Sequence, residues 1–105
     1  MTKVVRYELP LDSNVRARHF HQITKGRVEQ FTIQLETFVK GKWVAVVRYD
    51  TAHGFAHRDL IYFNGRKEKK AIHLDFNEAI TFADQDIREN WERYISNFLR
   101  ESHEK

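Results

Sequence analysis

The sequence predicts an α+β fold, in which an antiparallel β-sheet is packed by one long C-terminal α-helix. Three observations carry this expectation. Phe31, Ile33, Leu35, Thr37 and Val39 alternate with Thr32, Gln34, Glu36 and Phe38, the period-two pattern of a half-buried strand. Asn64-Gly65 separates two strand-like runs, a strong short-range signal for a hairpin. From Asp75 onward there is neither Gly nor Pro, and Ile80, Ala83, Ile87, Trp91, Tyr94, Ile95 and Phe98 fall on one helical stripe.

Taken in order, a first strand is expected over residues 4–8, ended by Pro10, which has no N–H to donate. Residues 15–23 read as a strand in which Arg16 and Arg18 alternate with other residues. The 31–39 strand leads through Lys40-Gly41-Lys42, a short turn, into residues 43–50. Val44, Ala45, Val46 and Val47 are nearly continuous there, which suits a central strand. Residues 57–63 and 66–74 form the hairpin around Asn64-Gly65, with positive φ expected at both turn positions. Lys67, Lys69 and Lys70 suit an exposed sheet edge. Asp75 and Glu78 have capping-box spacing at the helix start. Phe82 lies off the apolar stripe, and a break is expected near Asp84–Asp86, with Asp86 recapping. The apolar helix face is expected to cover Phe31, Ile33 and Leu35.

The chain has 105 residues, the size of a single domain, and we expect one spanning 1–105. Hydrophobic residues at 41% and fourteen aromatics supply a packed core. The absence of cysteine excludes a disulfide scaffold, a thiolate zinc site and a thiol nucleophile. No apolar run approaches a membrane span and no signal-peptide core is visible, so a cytoplasmic protein without membrane contact is expected. The net charge of +3 is uneven. Residues 1–75 hold fourteen Lys/Arg against eight Asp/Glu, whereas residues 76–105 hold four against seven. A basic body beside an acidic segment suits a phosphate-bearing partner, and it also suits plain solvated surface.

The densest chemistry lies in residues 48–59, where Arg48, Tyr49, Asp50, His53, His57, Arg58 and Asp59 fall within twelve positions. Histidine changes charge near neutrality, so His53 and His57 could give and take protons, with Tyr49 donating. Arg48 and Arg58 could hold phosphate oxygens, and Asp50 and Asp59 could orient the imidazoles. Such a set suffices for metal-free RNA cleavage, because RNA carries its own 2′-hydroxyl nucleophile. The same residues also have a plain structural reading. Asp50 and Thr51 would bond a turn, Gly54 would supply positive φ, and Asp59 would pair locally. A metal is not expected, although Asp50 or Asp59 could supply oxygen beside His53 and His57, and no cofactor is implied. On a strand, Arg48 and Asp50 share a face that excludes Tyr49. His19 and His21 share one strand face, and His73 and His103 read as ordinary strand and tail residues. Trp43, Tyr49, Phe55, Tyr62 and Phe63 are read chiefly as core or interface, with base stacking as the alternative.

Arg48-Tyr49-Asp50, Ala52-His53-Gly54 and His57-Arg58-Asp59 resemble the signature of small TumE-type toxins of toxin-antitoxin pairs. That family has a Tyr-Asp-Asn stretch, a Gly-rich link and His-Arg-His. Thr51 stands where Asn is usual, and Asp59 where a second His is usual, which removes one acid or base. The chain is also similar to an uncharacterised prokaryotic family with a Tyr-Asp-x-Ala-His-Gly-x-x-His core. The toxin resemblance implies a growth-blocking protein with a DNA-binding antitoxin partner, acting as a metal-independent ribonuclease or translation inhibitor. The rival expectation is a non-catalytic module that binds RNA or protein on its basic sheet, and a homodimer is a third. Sequence alone does not decide whether the protein is an enzyme.

Overall fold

The computed structural model describes residues 1–102, so His103 lies outside the described residues. Six strands precede one helix: β1 (Thr2–Asp12), β2 (Val15–Thr24), β3 (Arg27–Val39), β4 (Lys42–Asp50), β5 (His57–Ile61), β6 (Lys67–Ala71) and α1 (Phe76–Ser102). The strands form one antiparallel meander in chain order, so each pairs with its sequence neighbour. Local hairpins build the whole sheet, and α1 then lies across one face.

Alternation decides which residues meet the helix. Phe31, Ile33 and Leu35 of β3 are buried under α1, together with Val47 and Tyr49 of β4 and Ala79, Ala83 and Ile87 of the helix. Fully burying the Phe, Ile, Leu and Val side chains among them is worth about 1.5–3 kcal/mol each. The near-continuous run in β4 has a second cause besides its central place. Leu35 pairs with Val47 while Glu36 pairs with Ala45, so Val46 is the extra residue of a β-bulge and is buried with Val47.

Two hairpins turn on the same chemistry. Lys25-Gly26 (φ 52° and 76°) and Lys40-Gly41 (φ 52° and 82°) have left-handed backbone at both positions, which matches the twist of the flanking strands. The Asn64-Gly65 hairpin differs from the expectation, because only Gly65 has positive φ (90°). The Gly65 N–H donates to the Tyr62 carbonyl at 2.9 Å, and the Tyr62 N–H to the Arg66 carbonyl at 2.8 Å. The loop is longer than two residues, and β5 and β6 are shorter than predicted. His73 falls beyond β6 and is exposed. β6 is the exposed lysine-bearing edge.

Pro10 does not end β1, which runs on to Asp12 with a register shift between Pro10 and Asp12. β1 is the other edge of the sheet and Pro10 stands at this irregularity, and both are places where a strand tolerates a missing N–H. The helix also departs from expectation in being unbroken through Asp84–Asp86. Asp84 accepts from Arg88 one turn on, at 2.8 Å, and Asp86 is turned to the sheet, where it receives hydroxyl groups. Both carboxylates therefore have partners that a helix can supply. Asp75 caps α1, its Oδ1 accepting from the Glu78 N–H at 2.8 Å. Asn77 ties this end to the β2–β3 turn, accepting from the Val28 N–H at 2.9 Å and donating to the Gly26 carbonyl at 3.1 Å. Among the described residues no helix is long and apolar enough to cross a membrane.

Candidate functional site on the open sheet face

The helix covers one face of the sheet, and strand register places the polar residues of the other. Two cross-strand rows result. One runs Arg6, Phe20, Thr32, Asp50, His57, and the other runs Glu8, Arg18, Gln34, Arg48, Asp59. The first four residues of each row line a groove of about 610 Å³. The Arg6 guanidinium lies 4.4 Å over the Phe20 ring, and Arg16 lies 4.1 Å over Trp43 beyond the second row. Arg16 is neutralised by Glu8 at 3.2 Å and Glu36 at 2.7 Å. Arg48 donates through Nε to Gln34 Oε1 at 2.6 Å, and both residues line the groove. Arg6 and Arg18 are exposed and make no ion pair among the described residues. The six carboxylates of residues 76–102 sit on the helix, so the acidic side of the molecule is set apart from this face.

The predicted cluster of residues 48–59 is divided between the two faces. Asp50, His57 and Asp59 stay together at the end of the rows. His57 Nε2 lies 2.8 Å from Asp50 Oδ1, and His57 Nδ1 lies 3.4 Å from the Phe55 carbonyl. The β4–β5 loop folds back over this imidazole, with the His53 and Phe55 rings each 5.5 Å from it. His57 is left 1% exposed. His53 is exposed, so the two rings are stacked side by side but only one meets solvent. The loop itself uses the residues of the structural reading. Asp50 Oδ1 accepts from the Ala52 N–H at 3.1 Å, Thr51 Oγ1 from the Phe31 N–H at 3.1 Å, and Gly54 has φ 84°.

Tyr49 and Arg58 lie on the helix side, so the proposed set of seven does not converge. The cause is the two-residue period of the strand: Tyr49 pairs with Arg58, and Arg48 with Asp59 on the other face. Tyr49 donates to Asp86 Oδ2 at 2.7 Å, Tyr94 donates to the same oxygen at 2.7 Å, and Arg58 donates to the Tyr94 hydroxyl at 3.3 Å. Burial first, and then the Asp86 carboxylate, push the Tyr49 phenol far above its ordinary range, and Tyr94 rises for the same reasons. Tyr49 is therefore held neutral against Asp86 and is no proton donor to the imidazoles. Arg58 is likewise separated from Arg48 as a phosphate partner. Arg6, Arg18 and Phe20 are the residues that share the open face with Arg48. They stand 28 to 42 residues before Arg48, and the alternation of Arg16 and Arg18 is the one sequence signal that points to them. Among the predicted aromatics, Phe63 packs on Phe98 at 5.3 Å and Tyr49 is core, whereas Phe55 is exposed.

His19 and His21 share one face of β2 as expected, and that face is the helix side, with His19 Nε2 2.7 Å from His21 Nδ1 and the Tyr7 ring stacked 4.5 Å from His19. Burial, reinforced by His21 and by Arg88 and opposed by Asp84, lowers the His19 pKa below its ordinary value. A depressed histidine contributes stability above the unfolded-state value near 6.5, which is lost as the pH falls. We expect the thermal midpoint to drop between pH 7.5 and pH 5, and His19→Gln to flatten that dependence. Superimposable pH profiles for the two proteins would contradict this assignment.

No curated protein and no solved structure matches the chain. A family model described as a domain of unknown function, DUF7718, matches residues 1–104. With nearly the whole chain covered, sheet, groove and helix together, the protein belongs to the DUF7718 family.

Proposed function

We propose that the protein is a non-catalytic module that binds single-stranded RNA on its open sheet face. The observation that carries this reading is the pair of cross-strand rows, in which Arg6, Arg18 and Arg48 surround a groove beside Phe20. Guanidinium forks match phosphate oxygens, and exposed aromatic faces stack on unpaired bases. A sheet covered on one side only offers such a platform without any rearrangement. The ribonuclease reading draws less support, because His57 is sealed and both its nitrogens face protein oxygens. A growth-arresting role with an antitoxin partner rests on the resemblance in residues 48–59 alone.

Fluorescence anisotropy with a labelled oligoribonucleotide tests the proposal. Three phosphate-contacting arginines predict that the logarithm of affinity falls against the logarithm of salt with a slope of about −2. Arg18→Ala is expected to reduce that slope by about 0.7. The RNA should be recovered intact, and His53→Ala should bind like the parent protein. Absence of binding at low salt, or a slope unmoved by Arg18→Ala, would count against the proposal.

A further inference from the structure

We propose that Asp50, His57 and Asp59 form a binding site for one divalent first-row transition cation of the Mn²⁺ or Zn²⁺ class. The three side chains each bring one ligand atom to within 4.8 Å of the other two. They come together because Asp50 faces His57 across the β4–β5 ladder, and Asp59 follows His57 by two residues on the same face. None of this depends on the RNA-binding reading.

The second observation is Asp59 itself. It is 7% exposed, and its Oδ1 is buried with no hydrogen-bond partner. Its cross-strand neighbours Arg48 and Lys69 are cations, yet among the described residues no Lys or Arg nitrogen lies within 4.0 Å of it or of Asp50. A buried carboxylate left unpaired is costly, so native proteins supply a partner.

His57 narrows what that partner is. Both ring nitrogens face acceptors, Nε2 the Asp50 Oδ1 at 2.8 Å and Nδ1 the Phe55 carbonyl at 3.4 Å, so a neutral ring can serve only one of them, and a ring that binds a metal through Nε2 keeps its proton on Nδ1. That arrangement orients many metal-ligating histidines and leaves the Nε2 lone pair free. Here the lone pair would point at Asp50 Oδ1 from 2.8 Å, which is repulsive unless a positive charge stands beside them. A proton on Nε2 instead would satisfy Asp50 but leave Asp59 Oδ1 unpartnered. A divalent ion satisfies all three, and its charge balances two carboxylates around a neutral ring. The 2.8 Å between His57 Nε2 and Asp50 Oδ1 is what two ligand bonds of about 2.0–2.2 Å make at roughly a right angle, and Asp59 would close on the same ion by a small shift of its side chain. One imidazole with two carboxylates favours Mn²⁺ or Zn²⁺ over Mg²⁺, which keeps more of its waters. Asp50, alone of the three, also lines the groove, which gives the ion a path in.

The test uses the full chain stripped with a chelator and then titrated with Mn²⁺ or Zn²⁺. One ion per chain is expected after desalting. Substoichiometric Mn²⁺ should broaden the ring proton signals of His57 and of its stacked neighbour His53 while leaving His73 sharp. Asp59→Asn keeps the shape, removes the charged ligand, and should weaken binding on the order of 100-fold. No saturable binding below about 1 mM ion would overturn the proposal. So would binding that leaves His57 sharp, or that Asp59→Asn does not change. Should that variant fail to fold, the broadening pattern in the parent protein decides alone.

Discussion

Asp86→Ala is expected to cost about 3–4 kcal/mol of folding stability, a large share of the roughly 5–15 kcal/mol that holds a domain of this size together. Asp86 Oδ2 accepts from both the Tyr49 and the Tyr94 hydroxyls, and its Oδ1 accepts from Asn90 Nδ2 at 2.8 Å. Tyr49 is 2% exposed and Tyr94 9%, so neither hydroxyl finds water as a ready substitute. Removing the shared acceptor strands two buried donors and leaves Arg58 bonded to a phenol with no acceptor of its own. Each hydrogen bond to a charged group is worth about 1.5–3 kcal/mol, and the three are not additive because they share one carboxylate. Asp84→Ala, two residues earlier, is the control. Its partner Arg88 is on the surface, and an exposed pair one helical turn apart is worth about 0.3–0.5 kcal/mol. Denaturant unfolding separates the two, since the midpoint should move far for Asp86→Ala and little for Asp84→Ala at constant slope. Equal shifts would mean that the tyrosines do not depend on this carboxylate.

The second large effect is on binding. Reversing both free guanidinium groups, Arg6→Glu with Arg18→Glu, is expected to lower oligoribonucleotide affinity on the order of 100-fold at moderate salt. Two phosphate contacts are lost and two repulsions are gained beside Glu8. Both arginines are exposed, and among the described residues neither is committed to an ion pair, so the fold should be little disturbed. Arg16→Ala is the informative contrast. That guanidinium is already spent on Glu8, Glu36 and the Trp43 ring, so its loss should lower stability more than it lowers affinity. Unchanged thermal midpoints in the double reversal, alongside the loss of affinity, would place the effect in the interface.

Much of the architecture was legible because it is local. Alternation in β3, the apolar stripe of α1 and the Asp75 cap each depend on neighbours in sequence, and each is present. Where the reading failed, a partner from elsewhere in the chain decided the outcome. Pro10 was expected to stop β1, and it does not because β1 has no neighbour on its outer side. Asp84 and Asp86 suggested a helix break, and Asp86 instead meets tyrosines from β4 and from the next turns of α1. The Lys25-Gly26 turn repeats the chemistry of Lys40-Gly41.

At the site, the same limit applies. Sequence proximity gathered residues 48–59 into one candidate centre, and the strand period then sent Tyr49 and Arg58 to the helix while Arg48, Asp50, His57 and Asp59 kept the other face. Their real neighbours, Arg6, Arg18, Phe20 and Gln34, arrive by register across three strands. No spacing rule within one strand finds such a row. The burial of His57 beneath His53 and Phe55 depends on how a six-residue loop folds back, which composition does not encode.

Backbone amide spectra recorded with and without a short single-stranded RNA test most directly whether the uncovered face is the interface. Signals of Arg6, Arg18, Phe20, Gln34 and Arg48 should shift together and saturably, while those of Glu89, Glu92 and Arg93 on the outer side of α1 stay in place. Shifts confined to the helix, or none at millimolar RNA, would contradict the assignment of this face.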